Sequence, residues 1–166
     1  MALKPYWIEC PPPGRLAIVP RPRGGDWLAD DMDALRDAGI DILVSLLTGE
    51  EGQELGLYDE AKHALSRGLG FISFPIADRA VPASAIAVDQ LVEELKKKLG
   101  AGEAIGIHCR ACIGRSALVA ACLLVEQGAT PAQAFERISR ARGCNVPDTN
   151  EQVAWVESFA GRISRQ

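Results

Sequence analysis

Short apolar runs separated by turn-forming residues occur along the first two thirds of the chain. Four of these runs have the length and aliphatic content of buried strands. They lie at Arg15–Val19, Asp41–Leu47, Phe71–Ile76 and Ala104–Ile107. The segment Thr48–Gly52 is polar and rich in Gly, so it is expected to end the second strand without forming an element of its own.

Apolar residues at helical spacing predict helices between and after these strands. Asp26 and Asp148 are candidate N-caps of the first and last helices, and Ile86 is expected to join Leu91 and Leu95 on a buried face. The predicted helices run from Asp26 to Gly39, Tyr58–Arg67, Ser84–Leu99, from Gly114 to Gln127, Thr130–Arg142 and Asp148–Ile163. Strands alternating with helices, followed by consecutive helices, indicate an α/β fold with a mostly parallel central sheet flanked by helices.

Length and charge narrow the class of protein without naming an activity. The chain has 166 residues, 18 Lys and Arg against 22 Asp and Glu, and a formal net charge of −4. Residues 1–166 are therefore expected to form a single domain, with 1–14 as a short N-terminal extension. A mildly acidic chain is not expected to bind nucleic acid or an anionic membrane, and the longest apolar run, Ala117–Val125, is too short to span a bilayer.

Five cysteines are the feature of the composition that suggests chemistry. Their odd number and irregular spacing argue against a disulfide scaffold, and the N-terminal residues lack the apolar stretch of a signal peptide, so a reducing cytoplasm is expected. The two histidines, His63 and His108, form no recognisable zinc spacing with the cysteines, so no metal is expected.

One segment combines a nucleophile with anion-binding groups. It runs Ile107-His108-Cys109-Arg110-Ala111-Cys112-Ile113-Gly114-Arg115-Ser116 and joins a predicted strand to a predicted helix. Backbone N–H groups at a helix N-terminus favour an anion, and the same setting lowers the pKa of a cysteine. Arg115 can present a planar guanidinium to two phosphate oxygens. The segment Cys109–Arg115, called the phosphate-binding loop below, therefore predicts an anion site with a thiolate at its floor.

The spacing Cys109-(five residues)-Arg115-Ser116 resembles the signature loop of the protein tyrosine phosphatase superfamily. The segment Phe74–Pro82, which contains Asp78, is similar to the acid-bearing loop of dual-specificity phosphatases. Ile42–Leu47, Glu51, Leu55–Leu57 and Ala120–Leu124 resemble the cyclin-dependent-kinase-associated phosphatase branch and its small bacterial relatives. The resemblance extends from about Leu16 to Phe159 and implies the three-layer sandwich of that family.

The resemblance also implies a role for each matching residue. Cys109 matches the nucleophile, Arg115 the phosphate-binding arginine, and Asp78 the general acid. Ser116 matches the hydroxyl that stabilises the leaving thiolate, and His108 the histidine that supports the loop. The backbone amides that would bind the phosphate oxygens belong to Arg110, Ala111, Cys112, Ile113, Gly114 and Arg115. No cofactor is implied.

The sequence departs from the family pattern in the loop and near the C-terminus. Family loops commonly carry Gly where this chain has Ala111 and Cys112, so Cys112 is expected to be strained if its φ is positive. Cys109 and Cys112 also form a Cys-x-x-Cys pair, which is either a reversible disulfide or a nucleophile beside a tolerated small residue. Gln152 fits a family glutamine that places the hydrolytic water; the alternative is a residue at a helix N-terminus.

These patterns predict a cysteine-dependent phosphatase for phosphotyrosine, and for phosphoserine or phosphothreonine, in a phosphorylated protein. Three alternatives remain open: a non-catalytic phosphate-binding module, a phosphoinositide phosphatase suggested by the basic residue Arg110, and a thiol redox protein. The redox alternative leaves Arg115, Asp78 and Ser116 without roles. The sequence does not indicate an oligomeric state.

Overall fold

A five-stranded sheet lies between two layers of helices in the computed structural model, which describes residues 2–165. The strands are β1 (Tyr6–Ile8), β2 (Arg15–Ile18), β3 (Ile42–Ser45), β4 (Gly70–Ser73) and β5 (Ala104–His108). The helices are α1 (Leu28–Asp37), α2 (Gly49–Glu54), α3 (Glu60–Ser66), α4 (Ala85–Gly100), α5 (Arg115–Glu126), α6 (Pro131–Arg142) and α7 (Asn150–Ile163). This is the α/β architecture that the hydrophobic pattern predicts.

The strand order is β1-β2-β5-β3-β4, and the strands β2, β5, β3 and β4 are parallel to one another. Only β1 runs antiparallel, pairing Trp7 with Ala17 at the edge of the sheet. The strand β1 lies within 1–14, where no element was predicted, because three residues carry too little periodicity to be recognised. Since β5 lies between β2 and β3, the loop that follows it leaves the middle of the sheet at the carboxyl ends of the strands, where ligands bind in such folds.

The two faces of the sheet pack against different helices. Leu28, Met32 and Leu35 of α1, together with Ala64 of α3, cover one face. Helices α4, α5, α6 and α7 cover the other, with α5 at the centre and buried from Arg115 to Val125. An apolar helix that is buried all round forms a rigid support, since burial of each aliphatic side chain contributes about 1.5–3 kcal/mol to the stability of the folded state. None of the helices in residues 2–165 is both long and apolar enough to cross a membrane.

Neither aspartate expected as an N-cap serves as one. Asp26 lies in a short 3₁₀ turn, and α1 begins after Trp27 without a side-chain cap. The cap of α7 is Thr149, one residue after Asp148, and it forms a capping box in which the Thr149 hydroxyl and the Gln152 side chain each accept a backbone N–H. The reciprocal box satisfies two N–H groups at the helix N-terminus, whereas an aspartate cap satisfies one.

Two other expectations are wrong. Ile86 is 72% exposed, because it lies about 140° around the helix from Leu91 at 100° per residue and so falls off the buried stripe of α4. The polar segment after β3 does not simply break the chain: Thr48 caps the short helix α2 in another capping box, with Glu51. This helix carries Glu51 into the site described next.

Candidate active site

The phosphate-binding loop connects the end of β5 to the start of α5 in the centre of the fold. Cys109 follows β5 directly and is 2% exposed, and Arg115 is the first residue of α5. Gly114 precedes the helix where space is limiting, because a Cβ there would lie 2.6 Å from Asp148 Oδ2 and 2.8 Å from Gln152 Nε2. Only glycine therefore lets the loop pack against the N-terminus of α7.

Cys109 lies among groups that stabilise its thiolate. Its pKa is well below the ordinary value, chiefly because of a hydrogen bond from the Cys112 thiol, then hydrogen bonds from Ser116 and the charge of Arg115. Burial opposes this shift and does not overcome it. The Ser116 hydroxyl is 3.3 Å from Cys109 Sγ. These neighbours therefore favour the thiolate form of Cys109 without an adjacent base.

Cys112 occupies the strained position that its place in the loop predicts. Its φ is 58°, in the left-handed region that favours glycine. The buried thiol can donate to the Val19 carbonyl, 2.9 Å away, or to the Cys109 thiolate. Its own pKa is raised well above the ordinary value by that hydrogen bond and by burial. The two pKa shifts are therefore opposite in direction, and they favour the thiolate at Cys109 and the thiol at Cys112.

Arg115 is a fully buried arginine, only 1% exposed, and is held from three sides. Its Nη1 donates to Glu51 Oε2 and to the Ile76 carbonyl, each at 2.8 Å. Its Nη2 donates to Asp78 Oδ1 at 3.0 Å. The Glu51 side chain is 10% exposed and that of Asp78 is 52% exposed, so Glu51 is the fixed partner. A phosphate oxygen can replace Asp78 at Nη2 while Glu51 keeps the guanidinium in place.

His108 is directed away from the nucleophile by a buried carboxylate. It is fully buried, and its Nε2 hydrogen-bonds to Glu60 Oε1 on α3. Burial lowers the pKa of His108, but the charge and hydrogen bond of Glu60 outweigh burial and raise it. Glu60 is a residue that the sequence analysis missed, because 48 positions separate it from His108 and no local pattern links the two. A second missed residue is Glu51, which the sequence analysis noted only as part of the resemblance.

The segment Phe74–Pro82, called the acid loop below, passes over the phosphate-binding loop. Asp78 is on this loop with its carboxylate against Arg115, and Arg79 beside it has a φ of 60°. The Ala80 carbonyl accepts a hydrogen bond from Gln152 Nε2 at 3.2 Å. The acid loop is therefore tied to the start of α7, and Asp78 is brought to the same site as Cys109.

Gln152 is fully buried between the two loops. Its Oε1 accepts N–H groups of Asp148 and Thr149 at 3.1 and 3.2 Å. Gln152 thus contacts both Gly114 and Ala80, and a role in placing water stays a prediction.

The remaining predicted positions lie at the rim of the site or away from it. Arg110 is exposed and forms an ion pair with Glu54 at 3.2 Å. Cys122 is buried within α5, where burial raises its pKa, and Cys10 and Cys144 are half-buried. Within residues 2–165, no three His, Cys, Asp or Glu side chains are grouped closely enough to hold a metal ion.

A family model described as "Polymorphic toxin system, DSP-PTPase phosphatase" matches residues 19–129. The human protein named cyclin-dependent kinase inhibitor 3 is 32% identical over 142 residues, which is 81% of this chain and 64% of that protein. A probable protein tyrosine phosphatase type IVA A of Dictyostelium discoideum is 37% identical over 98 residues, 57% of each chain. This chain thus matches less than two thirds of the length of these curated relatives.

Solved structures agree on the fold. Kinase associated phosphatase (KAP), with its catalytic-site cysteine replaced by serine, matches 100% of this chain and 98% of its own with a TM-score of 0.87 at 23% identity. The active form of Tk-PTP matches with a TM-score of 0.75 at 20% identity, covering 95% and 97% of the two chains. Sequence match, fold and loop geometry agree: the chain belongs to the dual-specificity branch of the protein tyrosine phosphatase superfamily.

Proposed function

We propose that this chain is a cysteine-dependent phosphomonoester hydrolase acting on phosphotyrosine, and on phosphoserine and phosphothreonine, in proteins. The observation that carries the proposal is the buried Cys109 thiolate held with the Arg115 guanidinium in one loop. A thiolate at the floor of a loop of backbone amides can attack a phosphorus atom whose oxygens those amides bind. The amides belong to the loop residues from Arg110 to Arg115.

In the first step Cys109 Sγ forms a bond to phosphorus while the bond from phosphorus to the substrate oxygen breaks. Asp78 gives its proton to that leaving oxygen, and Arg115 stabilises the charge that spreads over the equatorial oxygens. The ion pair between Asp78 and Arg115 is then a resting contact of the carboxylate, which the phosphate displaces. Once it has left Arg115, Asp78 takes up a proton from solvent and turns toward the leaving group, ready to donate that proton.

In the second step Asp78 removes a proton from a water molecule that attacks the phosphocysteine and releases phosphate. Cys109 leaves as a thiolate, and the Ser116 hydroxyl 3.3 Å away stabilises it. His108, fixed by Glu60, supports the loop through its ring Nδ1, which lies 3.3 Å from the Cys109 carbonyl oxygen. A reducing compartment such as the cytoplasm would keep Cys109 available for this cycle.

Protein substrates are proposed from the relatives. The names kinase associated phosphatase and cyclin-dependent kinase inhibitor 3 connect two similar proteins with protein kinases, whose chemistry concerns phosphorylated side chains. A phosphorylated protein is therefore the proposed partner of this chain.

Hydrolysis of p-nitrophenyl phosphate and of phosphotyrosine peptides tests the proposal. Cys109→Ser is expected to abolish turnover, and Asp78→Asn to lower kcat on a peptide by roughly 10²–10⁴-fold while phosphate binding persists. Cys144→Ser, which removes a half-buried cysteine outside the loop, serves as the matched control and is expected to retain activity.

Three outcomes would contradict the proposal. Full activity of Cys109→Ser would exclude the mechanism. Tight tungstate binding by the wild-type protein without turnover would indicate a phosphate-binding module. Turnover confined to phosphoinositides would indicate a phosphoinositide phosphatase. Turnover confined to a disulfide substrate would indicate a thiol redox protein.

A further inference from the structure

The His108 ring lies between two oxygen atoms, one residue before the nucleophile. Its Nε2 contacts Glu60 Oε1, and its Nδ1 lies 3.3 Å from the Cys109 carbonyl oxygen. A carbonyl oxygen only accepts hydrogen bonds, so Nδ1 carries a proton and is the donor. A second proton lies between Nε2 and the Glu60 carboxyl group, and its place decides the charge of the ring.

The relative acidity of the two groups places this second proton on the ring. In water the pKa of a glutamic acid side chain is about 4.3 and that of an imidazolium is about 6.5. Both side chains are buried, which disfavours the two charges, but the attraction between them and their hydrogen bond outweigh burial and raise the pKa of His108. The contact is therefore an ion pair between a carboxylate and a doubly protonated ring.

Glu60 and Cys109 are the groups whose charge acts on the ring. Within residues 2–165 they are contributed by α3 and by the loop, while β3 presents the uncharged Ser45 opposite His108. The ring lies between the carboxylate and the Cys109 backbone, so the positive charge of the pair is nearer to the nucleophile than the negative charge is. A positive charge in that place favours the thiolate.

The hydrogen bond from Nδ1 also orients a peptide of the phosphate-binding loop. The Cys109 carbonyl and the Arg110 N–H belong to one planar trans peptide, so they point in opposite directions. With the carbonyl held by His108, the Arg110 N–H faces away from the buried ring, and it is one of the amides proposed to bind phosphate. A neutral ring has a second tautomer in which Nδ1 is unprotonated, whereas a doubly protonated ring always donates from Nδ1.

We propose that Glu60 is a positioning residue, which keeps His108 doubly protonated so that the ring presents a fixed N–H donor and a positive charge to Cys109. The assignment rests on the proposed function, because Glu60 acts on that same site and does so through His108. Replacing the carboxylate with a neutral group should release the second proton of the ring, raise the pKa of Cys109 and move the loss of its thiolate to higher pH. In the wild-type protein the charge of His108 is present at low pH and is lost as the pH rises through its raised pKa.

The protonation of the ring can be measured directly, because the chain contains only two histidines. Nitrogen NMR of protein labelled with 15N-histidine distinguishes protonated from unprotonated ring nitrogens, and His63→Gln leaves only the signals of His108. In the wild-type protein both nitrogens of His108 are expected to carry protons slightly above neutral pH, where a free imidazole carries one. In Glu60→Gln only one nitrogen is expected to remain protonated at that pH.

The thiolate of Cys109 is measured without turnover, by the rate at which iodoacetamide alkylates it. The alkylated residue is identified by mass spectrometry across a pH series, because the thiolate is the form that reacts. Glu60→Gln is expected to shift this titration to higher pH. Alkylation should be roughly tenfold slower on the acid side of the wild-type midpoint, the size of effect that members of one buried hydrogen-bond network have on each other.

Two further variants separate charge from packing. Gln is nearly the same size as Glu, whereas Asp keeps the charge but is one methylene shorter. If Glu60 acts through its charge, Glu60→Asp should lie closer to the wild type than Glu60→Gln does in both measurements, and if the side chain only fills space, the order should be reversed. Glu94→Gln, which neutralises an exposed carboxylate on α4, is the matched control and is expected to change neither measurement. Melting temperatures of all variants are recorded alongside.

A singly protonated His108 ring in the wild-type protein would overturn the assignment, because the second proton would then belong to the Glu60 carboxyl group. An unchanged Cys109 titration in Glu60→Gln would also overturn it, as would a shift that Glu94→Gln reproduces or an order of variants that follows size. The proposed function fails separately. If the ring and the titration behave as expected but the wild-type protein hydrolyses no phosphomonoester, the positioning of His108 stands and the assignment as a hydrolase does not.

Discussion

At the scale of single residues, the chemistry depends on how Cys109 is kept ionised. Ser116 and Cys112 lower its pKa by hydrogen bonding, and Arg115 does so by charge. A depressed pKa extends the thiolate to lower pH, and the thiolate is lost as the pH falls through the shifted value. The acid limb of the pH dependence of kcat/KM should therefore shift when one of these neighbours is removed.

Ser116→Ala is expected to move the acid limb of kcat/KM toward higher pH. Removing the hydroxyl takes one hydrogen bond away from the thiolate, so the pKa of Cys109 rises toward its ordinary value. The measurement is kcat/KM for an aryl phosphate between acidic and neutral pH. Ser139→Ala, which removes a hydroxyl bonded to the Val146 N–H, should leave the limb in place. An unchanged limb in Ser116→Ala would show that this hydroxyl does not act on the thiolate.

Cys112 is expected to protect Cys109 as a disulfide partner. Peroxide would oxidise the Cys109 thiolate to a sulfenic acid with release of hydroxide, and the Cys112 thiol would then displace the sulfenic oxygen as water to form the disulfide. The two residues are close neighbours in the loop, with Cys112 Sγ 3.8 Å from the Cys109 carbonyl oxygen.

Mass spectrometry after mild peroxide treatment should detect a Cys109–Cys112 bridge and a loss of activity that dithiothreitol reverses. Cys112→Ala should lose that recovery, and Cys10→Ala should keep it. Detection of higher oxides of Cys109 without a bridge would leave Cys112 as a tolerated small residue.

At the scale of elements, the N-terminus of α7 connects the two loops of the site. Both α6 and α7 begin with a capping box of the same design, Thr130 with Gln133 and Thr149 with Gln152. Gln133 is exposed, while Gln152 is buried and also donates to the Ala80 carbonyl of the acid loop. Both glutamines therefore cap a helix, but of the two only Gln152 also supports the acid loop. A comparison of variants at the two positions distinguishes these effects.

Gln152→Ala is expected to lower kcat, and Gln133→Ala is not. Each substitution costs about 0.3–1.5 kcal/mol of capping, and Gln152→Ala a further 1–3 kcal/mol for the buried groups it leaves unpaired. With the acid loop released, kcat should fall roughly tenfold or more for a substrate whose leaving oxygen needs protonation, and less for p-nitrophenyl phosphate.

Equal loss of kcat for both leaving groups, with a burst of the released alcohol, would instead assign Gln152 to the water that hydrolyses phosphocysteine. No loss of kcat would restrict it to capping. Thermal unfolding of both variants checks that the difference is not one of stability.

At the scale of the whole molecule, the parallel sheet brings distant segments to one edge. The strands β3 and β5 are adjacent, with Ser45 opposite His108 at their carboxyl ends. The chain that follows β3 supplies Glu51, the chain that follows β4 supplies Asp78, and the loop after β5 supplies Cys109 and Arg115. The fold thereby brings the Arg115 guanidinium and the backbone amides of the phosphate-binding loop to one edge of the sheet, which favours an anionic substrate there.

The spacing in the sequence determined the features that depend on neighbours along the chain. The loop from Cys109 to Arg115, the strand before it and the apolar helix after it were predictable because strand and helix periodicities are local. The strain at Cys112, whose φ is 58°, was instead indicated by the resemblance, because family loops commonly carry Gly at that position.

Only the tertiary structure decided which distant groups complete the site. Glu60 reaches His108 across 48 positions, and Glu51 reaches Arg115 across 64. Glu60 does not stand out in the sequence, because a lone charged residue there is indistinguishable from a solvated one. The physical reason is that these charged residues act through burial and through contacts in a low-dielectric interior. Packing creates both, and the periodicity of the sequence predicts neither.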